Sequence, residues 1–187
     1  MINERNFKLW AYLSEDLLRL SPSFEKRTNY YFSILHWMGI FSPRFIPVLI
    51  IRLSRFCYLR SYLRPLSQVL AWLNVFLFGI ECTPKCDIGS GLALPHTVGT
   101  VIGAFSIGKN ATIFQGVSLG AEAMDFGFSE ELRPKIGEGV VMGAGAKIFG
   151  GIHVGDGARV APNSLVIQTV PKNCLAAGIP AKLTGKY

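Results

Sequence analysis

The chain has little charge, few histidines and no long uninterrupted apolar run. Asp, Glu, Lys and Arg make up 17% of its 187 residues, too few for a helical bundle with a charged coat. Only three histidines occur, His36, His96 and His153, and they are scattered along the chain. Among four cysteines one close pair stands out, Cys82 and Cys86, but no second Cys or His pair follows at zinc-ligand spacing. No metal centre is expected, and the thiols read as small buried side chains. The two stretches free of charge, Thr28 to Pro43 and Pro65 to Ile80, hold sixteen residues each against the roughly 20 that span a bilayer. The charged start MINERNFK is followed by no cleavable apolar segment, so a reducing, cytoplasmic setting is expected.

What charge there is lies unevenly. The formal net charge is +7, with ten Lys/Arg against four Asp/Glu through Phe78 and nine against eight beyond it. A basic, aromatic N-terminal part suits an anionic surface, while no nucleic-acid-reading motif is present, so nucleic acid is excluded as a partner.

Glycine is abundant, at 20 residues, and it is periodic. From Ile88 an aliphatic side chain recurs at every sixth position: Ile88, Leu94, then Val101, Ile107, Ile113, Leu119, then Ile136, Met142, Ile148, Val154, Val160 and Val166. A small residue commonly follows, as in IGSG, IGKN, MGAG and VGDG. A period of six fits neither a helix nor an alternating strand; it marks a parallel β-helix. Each hexad supplies a short strand and a turn, and three hexads close one triangular coil around a single file of aliphatic side chains. Twelve hexads predict about four coils, with 79–187 as the β-helix domain and 1–78 as a small helical region before it. Apolar spacing in that region predicts helices over 7–20, 28–40, 45–62 and 66–78, with Ser21-Pro22 as a stop and Pro43, Pro47 and Pro65 as breaks.

Two irregularities break the repeat. The step from Leu119 to Ile136 is seventeen, which predicts an extruded loop over 120–135 carrying Phe126, Phe128 and Arg133. The step from Leu94 to Val101 is seven rather than six, and that slip contains His96. Glu81 lies fifteen residues upstream, close to the eighteen of one coil, so the two side chains are expected to meet if they face the same way. A neutral imidazole backed by a carboxylate is an acid–base pair: it takes the proton of an acceptor hydroxyl while that oxygen attacks a thioester, with no covalent enzyme intermediate. His153, within a hexad, reads as a surface side chain, and His36 as a helix-packing one.

The series GIECTPKCDIGSGLALPHTVGTVIG, QGVSLG, LRPKIGEGVVMGAGAKIFGGIHVGDGARVAPNSLVIQTVP and AAGIPAKL resembles the serine acetyltransferase branch of the hexapeptide-repeat acyltransferases, over about Gly79 to Lys186. The resemblance implies a left-handed prism, a homotrimer with sites between subunits, acetyl-coenzyme A as donor, and a catalytic dyad of His96 and Glu81. It implies donor contacts at Gly120, Ala144, Ala161 and Lys182. The chain departs from the serine pattern at Pro95, where Asp is usual before the histidine, and at Leu132-Arg133-Pro134, where Arg-His-Pro is usual. Loss of groups that hydrogen-bond serine shifts the expected acceptor to a carbohydrate hydroxyl, bound by Pro95, Arg133, Phe126 and Phe128, as in the related O-acetyltransferases of capsule and exopolysaccharide synthesis. The alternative is a serine O-acetyltransferase of cysteine biosynthesis. For the apolar N-terminal helices, packing in a trimer is preferred over contact with a membrane surface, where the intervening arginines would meet headgroups.

Overall fold

A computed structural model describes residues 8–20 and 42–186. Three helices come first: α1 (Leu9–Leu20), α2 (Ile46–Tyr58) and, after a single 3₁₀ turn (Ser61–Leu63), α3 (Arg64–Phe78). Pro47 and Pro65 occupy first-turn positions, where a missing N–H costs nothing, and Gly79 ends α3 in a left-handed conformation. The helix expected over 28–40 and His36 lie outside the described residues.

From Ile80 the chain winds into a left-handed parallel β-helix of three faces. The first face stacks β1 (Ile80–Cys82), β3 (Thr100–Ile102), β6 (Ser118–Gly120), β9 (Lys147–Phe149) and β12 (Leu165–Val166). The second stacks β2 (Asp87–Ile88), β4 (Ser106–Ile107), β7 (Lys135–Ile136) and β10 (His153–Val154). The third stacks β5 (Thr112–Ile113), β8 (Val141–Met142), β11 (Arg159–Val160) and β13 (Cys174–Gly178), on which β14 (Ala181–Lys186) folds back antiparallel. Bridges at Ala93 and Val170 complete the outermost turns. The first face has five strands, so the helix has five coils where the hexad count predicted about four. The period starts one face early, at Ile80, and ends two faces late, through the Val170 bridge and β13, where the GIPAK segment breaks it.

The repeat has a steric cause. Eleven of the twelve aliphatic positions are buried; the exception is Val101, half-buried on the outward side of β3, where the neighbouring Ile102 fills the core position opposite Leu119. The glycine that follows an inward residue lies against the next coil: a Cβ on Gly108 would stand 2.6 Å from the Glu138 nitrogen. At the corner leading into the first face the backbone turns left-handed, as at Gly145 (φ 74°), a conformation that asparagine also supplies at Asn163 (φ 55°).

A β-helix leaves an open backbone edge on its first coil. Here the helices close it. The Arg52 side chain, buried in α2, donates to the carbonyls of Ile88 and Gly89 and forms two bonds, 2.7 and 3.0 Å, with the Asp16 carboxylate of α1. Asp16 in turn accepts from the Leu92 N–H at 2.9 Å, and Arg19 donates to the Gly91 carbonyl at 2.9 Å. A buried ion pair thus serves as the partner the missing coil would have been. Val48 and Ile51 of α2 join the same hydrophobic core as the prism, which runs continuously across the Phe78–Gly79 boundary.

Helix α3 is turned inside out. Its buried residues are Ser67 and Asn74, hydrogen-bonded to α2 through the Ser54 backbone and the Pro47 carbonyl. Its large apolar side chains, among them Trp72 (57% exposed) and Phe76 (83%), face outward. Among the described residues no helix is long and apolar enough to cross a membrane.

Candidate active site

The turn from the first coil to the second holds two residues more than its counterparts below: Leu94 to Ile102 is eight steps, where Ile113 to Leu119 and Met142 to Ile148 are six each. Its ends are pinned: the Gly99 N–H donates to the Gly79 carbonyl at 2.9 Å, the Thr97 hydroxyl to the Phe78 carbonyl at 2.9 Å, and the Gly116 N–H to the Val98 carbonyl at 3.1 Å. With both ends held, the two extra residues push the turn outward. His96 stands exposed in a cleft of 640 Å³ formed with Arg44, the C-terminal turn of α3 and Val98.

Glu81 occupies the middle of β1, paired with Val101, and alternation points it outward from the first face. It lines a different cleft, of 510 Å³, with Gly120, Phe126, Phe128 and Arg133. The two clefts share no lining residue, and no hydrogen bond joins His96 to Glu81 among the described residues. The expected meeting of the pair one coil apart is not realised within one chain. The longer turn carries the imidazole off the corner toward α3, whereas Glu81 looks out from mid-face.

The extruded loop, between β6 and β7, is organised by Arg133. Its Nε lies 2.7 Å from the Asp125 carboxylate, Nη1 donates to the Gly103 carbonyl at 2.8 Å and Nη2 to the Asp125 carbonyl at 3.0 Å. The Ser129 N–H and hydroxyl also bond Asp125. Burial works to raise the Asp125 carboxyl, but the hydrogen bonds from Arg133 and Ser129 outweigh it and hold the group below its ordinary range. The Arg133 guanidinium covers the Phe128 ring at 4.3 Å, and Phe105 stacks nearby at 6.1 Å. This clamp keeps Phe128 at φ 60°, a left-handed conformation that costs a non-glycine residue about 1–2 kcal/mol. Phe126, 89% exposed, sits at the cleft mouth. The acceptor residues expected from sequence are therefore divided: Pro95 accompanies His96, while Arg133, Phe126 and Phe128 accompany Glu81.

The expected donor residues divide too. Ala144 and Ala161, both half-buried, lie on successive coils of the corner that carries His96; the Asn163 N–H donates to the Ala144 carbonyl at 2.9 Å, and the Ala161 N–H to the Ala176 carbonyl at 2.9 Å. Lys182 pairs across from Ala177 on β14, exposed, at the end of the same line. Gly120 does not belong to that line; it closes β6 in the Glu81 cleft. From the first coil, which carries His96, to β14, which carries Lys182, the third face descends five strand steps, roughly 24 Å at about 4.8 Å each. No group of three His, Cys, Asp or Glu side chains able to hold a metal occurs among the described residues. His153 is exposed on β10, and Cys57, Cys82 and Cys86 are buried free thiols.

Sequence reasoning passed over two residues. Asp125 anchors the loop, and its one available signal is a lone carboxylate eight residues before Arg133. Lys85 lines the Glu81 cleft, and its signal is a single cation in the short CTPKC segment between β1 and β2.

No protein-family model matches the chain. It is 43% identical over 110 residues to the serine acetyltransferase of Escherichia coli strain K12, which covers 58% of this chain and 39% of that protein. Among solved structures it is similar to soybean serine acetyltransferase, with a TM-score of 0.76 at 31% identity over 94% of this chain and 69% of the soybean one. It is also similar to a serine acetyltransferase in complex with CoA, with a TM-score of 0.78 at 26% identity over 97% of this chain and 72% of that one. The chain thus spans about two fifths of the curated relative it matches. These relatives are serine acetyltransferases, and the expected closeness to polysaccharide O-acetyltransferases gains no support from them.

Proposed function

Because the chain belongs to the hexapeptide-repeat acyltransferase superfamily, in its serine acetyltransferase branch, we propose that it transfers an acetyl group from acetyl-coenzyme A to an acceptor hydroxyl. The observation that carries this reading is His96, exposed in its own cleft at the top of the corner that descends through Ala144 and Ala161 to Lys182. His96 takes the hydroxyl proton, the oxygen attacks the thioester carbonyl, and the tetrahedral intermediate collapses with C–S cleavage. The imidazolium returns the proton to the departing thiolate, leaving an acetyl ester and coenzyme A. Glu81 is assigned to steady the imidazolium, which requires the His96 ring to turn toward the first face. Ala144 and Ala161 would let the pantetheine arm lie along the corner, with Lys182 near the nucleotide phosphates and Gly120 at the acceptor end.

L-serine is the first acceptor to test, since the named relatives are serine acetyltransferases. A carbohydrate hydroxyl is the second reading, and one observation favours it: Arg133 is committed to Asp125 and Gly103, so the position offers serine no free recognition group. Thiol release from acetyl-coenzyme A with each acceptor class separates the two.

The apolar face of α3 runs into the His96 cleft through Phe76 and Phe78, which supports an assembly of copies, a homotrimer, packed on that face with the site completed at the seam. Contact with an anionic membrane through the same face is the competing use. Flotation with anionic liposomes at low salt decides between them.

A further inference from the structure

The Glu81 cleft opens past Phe128 into a second cleft of 690 Å³ bordered by Tyr58, Phe105 and Lys135, and two residues line both: Phe128 and Lys85. Four cations border this double cleft, and three are already paired. Arg133 lies 2.7 Å from Asp125, Lys135 lies 2.7 Å from Glu130, and Arg55 faces Asp87 at 3.8 Å while donating to the carbonyls of Pro84 and Lys85. Lys85 has no carboxylate partner among the described residues; its ammonium stands 5.6 Å from the centre of the Phe128 ring. Phe128 itself is held in a left-handed conformation by Arg133 and Phe105, so the loop is built to present that ring where two clefts meet.

We propose that Lys85 is the anion-recognising residue of the acceptor site: the hydroxyl-bearing acceptor carries a carboxylate or phosphate that Lys85 binds, with the exposed Phe126 ring available to the rest of the molecule. A cation left unpaired at the junction of two ligand-sized clefts is placed to select charge, and the paired cations beside it are placed to shape the walls. The inference rests on the acyl-transfer reading for calling its ligand the acceptor, but it concerns binding.

The test is calorimetric binding to the full chain and to its Lys85→Gln and Lys85→Arg variants. Ligands are matched by charge: D-glucuronate and D-glucose 6-phosphate against D-glucose, and L-serine against L-serinamide. The expected result is at least tenfold tighter binding of an anionic member, lost in Lys85→Gln and restored in Lys85→Arg. Which anion binds best separates carboxylate from phosphate. Equal binding of the members with and without the carboxylate or phosphate, no binding of any, or a preference that survives Lys85→Gln overturns the proposal. Thiol release from acetyl-coenzyme A reads the other claim separately: charge-selective binding without acetyl transfer would sink the acyltransferase reading and leave the anion subsite standing.

Discussion

Arg133 and Asp125 are locked together across the extruded loop, 2.7 Å from Nε to Oδ2, with the Asp125 side chain only 3% exposed. The pair ties the loop to the β-helix, because the same guanidinium bonds the Gly103 carbonyl of the turn after β3. Replacing Arg133 with Met therefore releases the loop and removes a bond to the β-helix, the one to the Gly103 carbonyl. Protease cleavage within 121–134 should accelerate at least tenfold while the thermal midpoint falls by only a few degrees. Unchanged cleavage would remove Arg133 as the organising residue.

The same pair sets an acid limit on loop order. The Asp125 carboxyl is held below its ordinary value of about 3.9, so its contribution is fully present above that value and is lost as pH falls through the lower folded value. Amide exchange at Ser129, whose N–H donates to this carboxylate, should lose protection only below about pH 3.9. Loss of protection between pH 5 and 7 would contradict the assignment.

Arg52→Met should be among the most destabilising single changes. It leaves the Asp16 carboxylate buried without its cation and strips the Ile88 and Gly89 carbonyls of partners, a loss of about 3–5 kcal/mol for breaking a buried pair. Urea unfolding measures it, and a loss under about 1 kcal/mol would mean that water replaces the guanidinium.

Thiol reactivity should follow burial. Desolvation pushes the Cys82 thiol up to about 12 and the Cys86 thiol well above its usual value, whereas Cys174 is partly exposed. Alkylation of the folded protein at pH 8 should mark Cys174 and spare Cys82 and Cys86. Rapid labelling of either buried thiol would show that the first coil opens.

Phe76→Asp and Trp72→Asp test the outward face of α3. Both residues are well exposed, so the single chain tolerates the charge, and the expected outcome is a smaller particle in sedimentation velocity with loss of acetyl transfer. An unchanged sedimentation coefficient would remove α3 from the subunit contact.

Much of this architecture was legible in the sequence because a β-helix is local: each inward side chain meets its counterpart one coil away, and the period survives any change in outward residues. The two insertions were legible for the same reason, as breaks in a strict count. The end caps were not, since GIPAK turns into an antiparallel return and Ile80 begins the first face without a preceding hexad. Nor was the separation of His96 from Glu81. Sequence distance gives the coil, but the direction of a side chain at a bulged corner depends on what pins the turn, here Phe78, Gly79 and Gly116. The polarity of α3 was equally hidden: its apolar run says that the helix is covered, and only the Ser67 and Asn74 contacts show which side faces the fold.

The central claim is that His96 is the base for acetyl transfer, and steady-state thiol release from acetyl-coenzyme A by the full chain and His96→Ala, with L-serine and with a glycan panel, tests it most directly. The account predicts turnover on at least one acceptor class, reduced by about 10²–10⁴-fold in His96→Ala with acetyl-coenzyme A binding retained. Turnover that survives His96→Ala within a few fold would contradict it.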